Sequence, residues 1–157
     1  MSFESAKEYL CKRGYGNKII TFEVSTATVE LAAKALGTLE CRIAKTLGFM
    51  LNETPILIVM AGDARVDNKK YKQTFHEKAH MLSFDSSVEL VGHAPGGVCP
   101  FGVKEGVKVF LDESLKRFET VYPAVGSSNS AIELTIKEFE ELLPDATWVD
   151  VGELLGN

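Results

Sequence analysis

The spacing of apolar and polar positions along the chain predicts a series of short strands and helices. The most apolar segments, Ile43–Leu51 and Ile56–Ala61, are typical of two strands, and residues 52–55 between them suit a hairpin connection. Thr28 is a suitable N-cap for a helix that ends at Gly37. The other expected helices cover residues 3–13 (capped by Ser2), 67–80, 85–91, 112–117 and 136–143, and the other expected strands cover 18–23, 107–111, 120–122, 131–135 and 147–151.

The order of these elements predicts the fold class. Strands and helices interleave irregularly and include several hairpins, which is typical of an α/β protein of the α+β type with helices packed on a mixed sheet, and not of a doubly wound sheet. The 45% of apolar residues are enough to fill one core. Because no linker, repeat or low-complexity segment interrupts the pattern, residues 1–157 are expected to form a single domain.

The overall charge narrows the range of partners. A net charge of −5 argues against sequence-blind binding to a DNA or RNA backbone, which needs many cations, although contact with one end of a polynucleotide remains compatible with it. No DNA partner is therefore expected. Positive charges do concentrate in one segment, where a solvated helix face is the simplest interpretation; they are Arg65, Lys69, Lys70, Lys72 and Lys78.

The cysteines and the apolar runs bear on localisation. The three cysteines are odd in number and form no CxxC motif, which indicates reduced thiols in a cytosolic protein. The longest clean apolar run, Pro55–Ala61, is far shorter than the roughly 20 residues that cross a bilayer. The N-terminus is typical of a polar helix start and not of a signal peptide. A cytoplasmic protein without a membrane partner is expected.

The segment Gly92–Gly102 is the most unusual in composition. It holds four glycines and two prolines, and it has no acidic or permanently basic side chain. Glycine allows another molecule to approach the backbone closely, and proline restricts the backbone. The composition favours a stiff, bare loop whose N–H and C=O groups are available to a ligand, while a tight connection without a functional role is the alternative.

Two motifs suggest hydrolytic chemistry that the surrounding sequence does not favour. His76–His80 matches the HExxH pattern of zinc proteases, but Lys78 lies inside the motif and Ser86 stands where a third histidine would follow, so no metal site is predicted. Cys99 is a candidate nucleophile with His93 as its base. A small residue before a proline also fits a packing role, so a thiol hydrolase is only an alternative.

Lys45 is the most distinctive charged residue. It lies in the apolar strand Ile43–Leu51, and a period of two places it on the same side as Leu47 and Phe49. Such a lysine either extends to water at an edge or faces a ligand pocket. A partly buried ammonium group needs an anionic or strongly polar partner, and a phosphate or an ester carbonyl of a ligand would supply one.

Four segments together resemble a known family. Thr28–Gly37 resembles the family's T-v-e-x-A-A-x-x-L-G helix, Ile43–Leu47 its I-x-K-T-L strand, and Gly96–Gly102 its G-G-V-x-P-F-G loop. Gly62–Asp67 fits the G-D-x-x-x-D pattern that follows a central strand. The first three motifs occur in this order in the YbaK-like aminoacyl-tRNA deacylases, which are related to the editing domain of bacterial prolyl-tRNA synthetases.

The resemblance implies a fold and an activity. The fold would be a small domain with a mixed, partly closed sheet. The activity would be trans-editing, the hydrolysis of the ester between a small wrong amino acid, alanine or cysteine, and the 3′-terminal adenosine of a tRNA, most often tRNA(Pro). No cofactor or metal is implied. The expected partners are the aminoacyl-tRNA 3′ end and, as a further candidate, prolyl-tRNA synthetase. A non-catalytic module that binds a nucleotide or an aminoacyl-tRNA 3′ end is the alternative.

The resemblance also implies the site. Lys45 would be the essential lysine, acting as an electrostatic anchor for the ester while water attacks, and the bare loop would position the aminoacyl end. The implied substrate-binding residues are Thr46, Gly96, Gly97, Val98, Cys99, Pro100, Phe101 and Gly102, with His93, Asp63, Gly126 and Ser127 as further candidates. Cys99 stands where several relatives carry Ser, and Gly126-Ser127-Ser128 only approximates a family turn. These departures leave the amino-acid preference open.

Overall fold

Five helices and ten strands make up the part of the chain that the computed structural model describes, residues 2–155. The helices are α1 (Ser2–Lys12), α2 (Val29–Leu36), α3 (Asn68–Phe75), α4 (Phe84–Ser86, followed by a π-helical turn at Ser87–Val91) and α5 (Ile136–Leu142). The strands are β1 (Ile19–Thr21), β2 (Ile43–Leu51), β3 (Thr54–Ala61), β4 (Ala64–Val66), β5 (Lys108–Asp112), β6 (Thr120–Pro123), β7 (Ser130–Ile132), β8 (Leu134–Thr135), β9 (Thr147–Val149) and β10 (Gly152–Leu154). Within residues 2–155, no helix combines the length and the apolarity needed to span a bilayer.

The main sheet contains six strands in the order β8-β6-β2-β3-β5-β9. β2 and β3 form a long antiparallel hairpin, whereas β2–β6, β3–β5 and β5–β9 are parallel pairs. Two small antiparallel pairs, β1–β7 and β4–β10, lie outside it. This curled mixture of parallel and antiparallel strands with surrounding helices confirms the expected α+β class.

Local sequence explains the best-predicted elements. Thr28 caps α2 by accepting a hydrogen bond from the Leu31 amide at 3.1 Å, and Gly37 ends the helix with φ = 68°. The β2–β3 turn is tighter than expected, because only Asn52 and Glu53 connect the strands, both with positive φ (46° and 66°). The expected four-residue connection is therefore too long.

The central strand β3 separates two apolar clusters. Alternate side chains of β3 point to opposite faces, which is why its sequence is apolar throughout. Ile58 and Met60 pack in the cluster with Tyr71 of α3. Val59 packs in the larger cluster with residues of α1 and α5, and Phe101 belongs to the same cluster. The Gly- and Pro-rich segment thus contributes directly to the core.

Several expected boundaries are wrong. α3 ends at Phe75 and not at His80, because His76 adopts a left-handed conformation (φ = 64°) and its amide closes the helix on the Lys72 carbonyl. Ser2 lies in α1 and does not precede it. The expected strand 131–135 is divided into β7 and β8. The β4–β10 pair did not follow from any local pattern.

Candidate functional site

A cavity of about 270 Å³ lies where β2 begins, and it brings several of the predicted residues together. One wall is the start of β2, a second is the chain that enters α2, and a third is the first half of the Gly- and Pro-rich loop. The predicted residues among its lining are Lys45, Thr46, Gly96 and Val98.

Lys45 is half-buried at the cavity wall. Its Nζ atom lies 3.5 Å from the Gly62 carbonyl oxygen, the one acceptor within hydrogen-bond distance among the described residues. Burial lowers the pKa of Lys45, and the nearby Asp63 carboxylate opposes this shift. The Lys45 ammonium group can therefore still donate hydrogen bonds to a polar group of a ligand.

Asp63 holds an ion pair behind Lys45 and does not line the cavity. Its two oxygens accept from Arg117 at 3.0 and 2.5 Å, and this pairing holds the pKa of Asp63 below its usual range. Because Arg117 pairs with Asp63, the ammonium group of Lys45 leaves a net positive charge at the cavity wall. The turn before Asp63 requires a glycine, since a Cβ atom at Gly62 would clash with the Glu40 carbonyl.

The first half of the loop forms cavity wall. Pro95 and Gly96 lie in a 3₁₀ turn that faces the cavity, together with Val98. Gly97 is buried and packs so closely against the neighbouring turn that a Cβ atom there would lie 2.6 Å from the Ser127 backbone. Close contact between these two turns fixes the position of the cavity wall.

The second half of the loop belongs to the core. Cys99 and Phe101 are fully buried, and so is His93. His93 Nε2 lies 2.7 Å from the Phe101 carbonyl and 3.7 Å from Cys99 Sγ, whereas its Nδ1 has no hydrogen-bond partner in the described part of the chain. Burial raises the pKa of the Cys99 thiol to about 12 and lowers that of His93. A buried thiol with a raised pKa and a neutral histidine make a poor nucleophile and base.

The remaining candidate residues do not line the cavity and make packing or hydrogen-bond contacts elsewhere. Pro100 lines a separate groove of about 610 Å³ on the side of Tyr9. Gly102 and Gly126 have positive φ (64° and 74°), and a Cβ atom on either would clash with the backbone of α1. The Ser127 hydroxyl bonds to Ser130 Oγ at 2.6 Å. These residues hold the loop and the 126–128 turn against the first helix.

Sequence reasoning missed Thr26. It lines the cavity and is 7% exposed, and its Oγ1 atom, like that of Thr46, is buried without a hydrogen-bond partner among residues 2–155. The Thr26 amide donates to the Ser128 carbonyl at 2.6 Å, so the backbone is firmly held. A threonine two residues before a helix cap resembles an ordinary loop residue, and no local pattern distinguishes it.

The HExxH segment does not have the geometry of a zinc helix. His76 ends α3 in the left-handed conformation, so His76 and His80 do not lie one turn apart on a helix. Glu77 accepts a hydrogen bond from the Asn52 amide at 3.2 Å. Within residues 2–155, no group of three or more His, Cys, Asp or Glu side chains is arranged to hold a metal ion.

The geometry suits electrostatic and hydrogen-bonding chemistry. The cavity combines the ammonium group of Lys45 with the loop residue Gly96 on walls that are otherwise mainly apolar. Fixed polar groups of this kind stabilise charge that develops during ester hydrolysis. The small volume favours a small ligand group.

Comparison with known proteins gives a consistent result. Residues 23–142 match the family model for the aminoacyl-tRNA editing domain. The chain is 51% identical over 152 residues to Bacillus subtilis (strain 168) YwhH, an uncharacterized protein, covering 96% of this chain and 97% of YwhH. It is 31% identical over 90 residues to the proline–tRNA ligase of Aquifex aeolicus (strain VF5), covering 56% of this chain but only 16% of the ligase.

The fold comparison agrees with the sequence comparison. A crystal structure of a candidate trans-editing enzyme for prolyl tRNA synthetase superposes with a TM-score of 0.87 at 29% identity, covering 97% of both chains. Sequence and fold therefore relate the chain to the same group of proteins that its motifs resemble.

Proposed function

We propose that this chain, which belongs to the aminoacyl-tRNA editing domain family and is an aminoacyl-tRNA deacylase, acts in trans on tRNA(Pro) that carries a small wrong amino acid such as alanine or cysteine. The tRNA identity is supported by the similarity to a prolyl-tRNA ligase segment and to a candidate trans-editing enzyme for prolyl tRNA synthetase. The preference for a small amino acid is supported by the cavity volume of about 270 Å³.

One observation carries the proposal: the half-buried Lys45 ammonium group and the Gly96 backbone line the same small cavity. An aminoacyl ester has a carbonyl oxygen that becomes negative when water attacks it. A positioned cation stabilises that charge, and the loop backbone holds the acyl group without a side chain in the way. Lys45 would act as an electrostatic anchor and not as a covalent nucleophile.

A deacylation screen tests the substrate. The purified chain is incubated with tRNA(Pro) charged with alanine, cysteine, serine or proline, and kcat/KM for release of the amino acid is measured. We expect the small amino acids to be released at least about tenfold faster than proline, because the larger proline ring has to fit the same small cavity. Equal rates on all four esters would contradict selection by the cavity.

Substitution of Lys45 tests the mechanism. We expect Lys45→Met to lower kcat/KM by about 100-fold or more, the effect typical of losing one charge-stabilising group, without lowering the melting temperature. Lys34→Met is the matched control, since Lys34 is exposed on α2 and does not line the cavity. Full activity of Lys45→Met would remove this residue from the mechanism. Tight binding of an uncleavable aminoacyl-adenosine without turnover of any ester would favour the non-catalytic module instead.

A further inference from the structure

Two cations lie near the Asp63 carboxylate, and it pairs with only one of them. Its oxygens accept from the Arg117 guanidinium group at 3.0 and 2.5 Å, whereas Lys45 forms no ion pair within residues 2–155. Lys45 Nζ instead lies 3.5 Å from the carbonyl oxygen of Gly62, the residue before Asp63. The Asp63 carboxylate still raises the pKa of Lys45 against the larger effect of burial. It is therefore close enough to influence the ammonium group, although Arg117 binds it.

Both partners of this ion pair are held by contacts of their own. Arg117 Nε donates to the Ser114 carbonyl at 2.9 Å, and the guanidinium carbon lies 4.6 Å from the centre of the Phe118 ring. The backbone of Asp63 is held as well, because its carbonyl accepts from the Leu155 amide at 2.7 Å. An arginine that binds both oxygens of a carboxylate also fixes the orientation of that carboxylate. These contacts direct the Asp63 charge to the guanidinium group.

We propose, building on the deacylase function above, that Arg117 is a positioning residue: it binds the Asp63 carboxylate and so keeps the Lys45 ammonium group available to the aminoacyl ester. Without Arg117, the carboxylate would remain one residue from the carbonyl that Lys45 contacts, and its charge would be unbalanced. It would then compete with the ester carbonyl for the ammonium group, because opposite charges attract strongly at a partly buried site. Arg117 does not line the cavity, so it acts through Asp63.

A contribution to stability does not account for this ion pair. The side chains of Arg117 and Asp63 are 34% and 31% exposed, and ion pairs that are this open to water stabilise a protein only slightly. Loss of the pair should therefore leave the melting temperature nearly unchanged. A fall in activity on removal of Arg117 would come from the charge left beside Lys45 and not from unfolding.

The test is a double-mutant comparison of kcat/KM on the tRNA(Pro) ester that the deacylation screen shows to be released fastest. Arg117→Met should lower kcat/KM by about tenfold, because the freed carboxylate partly neutralises the stabilising cation. Adding Asp63→Asn removes the competing charge, so the double variant should regain most of that loss. Arg13→Met is the matched control: Arg13 also donates to a backbone carbonyl and lies over an aromatic ring, but it forms no ion pair among residues 2–155.

The recovery of activity separates this role from two others. Equally low activity of Arg117→Met, Asp63→Asn and the double variant would overturn the proposal, because the pair would then only shape the turn beside Lys45. A loss in Arg117→Met that lies in KM alone and persists in the double variant would also overturn it, since Arg117 would then bind the tRNA directly. Full activity of Arg117→Met would overturn it as well, while still supporting the deacylase function.

The reactivity of the Lys45 amine gives an independent result without turnover. The native protein is trace-labelled with acetic anhydride at mildly alkaline pH, and peptide mass spectrometry measures acetylation of Lys45 relative to Lys34, which is exposed on α2. The deprotonated amine is the reactive form, and an unbalanced Asp63 carboxylate favours the protonated one. Arg117→Met should therefore reduce the relative labelling of Lys45, and the double variant should restore it.

This labelling distinguishes failure of the proposal from failure of the deacylase function. Labelling of Lys45 that is the same with and without Arg117 would overturn the proposal, because the freed carboxylate would then not act on the ammonium group. The expected labelling in a protein that hydrolyses no ester would support the control of Lys45 by Arg117 and would contradict the deacylase function instead.

Discussion

The two halves of the Gly- and Pro-rich loop, residues 95–98 and 99–102, each contain proline and glycine but have different surroundings. Gly96 and Val98 line the cavity beside Lys45, whereas Cys99 and Phe101 are buried in the core. The first half lines the cavity, and the second half packs in the core and so holds the first half in place. A glycine in this loop therefore reflects either access for a ligand or close packing of two backbones, and composition alone does not distinguish the two.

The largest expected difference between the halves is in stability. Phe101 packs on Tyr9 and Phe139 with ring centroids 6.1 and 5.9 Å away. We expect Phe101→Ala to lower the free energy of unfolding by about 3–5 kcal/mol, because it leaves a cavity in the core. Urea unfolding followed by circular dichroism measures this change, and deacylation per folded molecule should fall far less than in Lys45→Met.

The matched change in the first half is Gly96→Val. A Cβ atom at Gly96 would lie at an ordinary distance of 3.5 Å from the Ala27 side chain, so the fold tolerates it, while the added methyl groups narrow the cavity. Stability should change by less than about 1 kcal/mol, as is usual away from the core, while kcat/KM falls clearly. If Gly96→Val unfolds the protein as Phe101→Ala does, the two halves are not functionally distinct.

Local interactions made part of this fold predictable. The cap at Thr28, the stop at Gly37 and the apolar strand Ile43–Leu51 depend on neighbours in sequence, and the structure matches them. The pairing of β4 with β10 joins segments that are distant in sequence, and the residues after His76 contact β2, where the Met50 amide donates to the His80 carbonyl. Sequence periodicity does not indicate such long-range contacts, so neither the β4–β10 pair nor the end of α3 was predicted.

The candidate site was predictable to a similar extent. Lys45 is conspicuous because it is a charge in an apolar strand, and the loop is conspicuous by its composition. Which half of the loop faces the cavity depends on packing against α1 and the Ser127 turn, which the loop sequence does not encode. Thr26 lines the cavity because the chain before α2 lies against the start of β2.

A smaller effect, on pH dependence, comes from His93, which is buried beside Cys99 and Phe101. The neutral His93 ring donates from Nε2 to Phe101, and a proton on its unpartnered Nδ1 would have no acceptor, so burial lowers its pKa. The unfolded chain then binds more protons than the native one below the unfolded pKa of about 6.5. Stability is therefore complete above that pH and falls as the pH drops toward the folded pKa.

Urea midpoints measured from pH 7.5 to 5.5 test this dependence. We expect His93→Gln, which keeps a donor for the Phe101 carbonyl, to have a flatter profile than the unchanged protein across this range. His76 and His80 are present in both proteins, so the difference between the two profiles isolates His93. Parallel profiles would mean that His93 takes up its proton equally easily in the native and unfolded states.

The smallest expected effect is on activity, and it concerns the fully buried thiol of Cys99. With Cys11→Ser and Cys41→Ser, Cys99 is the one remaining thiol of the three in the chain. Because Cys99 is fully buried and its pKa is raised to about 12, iodoacetamide should add no mass to the native protein and should leave deacylation unchanged. The same reagent should add one carbamidomethyl group after unfolding in guanidinium chloride, which controls for reagent activity. Native modification of Cys99 with parallel loss of activity would restore the thiol hydrolase and place the second half of the loop at the reaction centre.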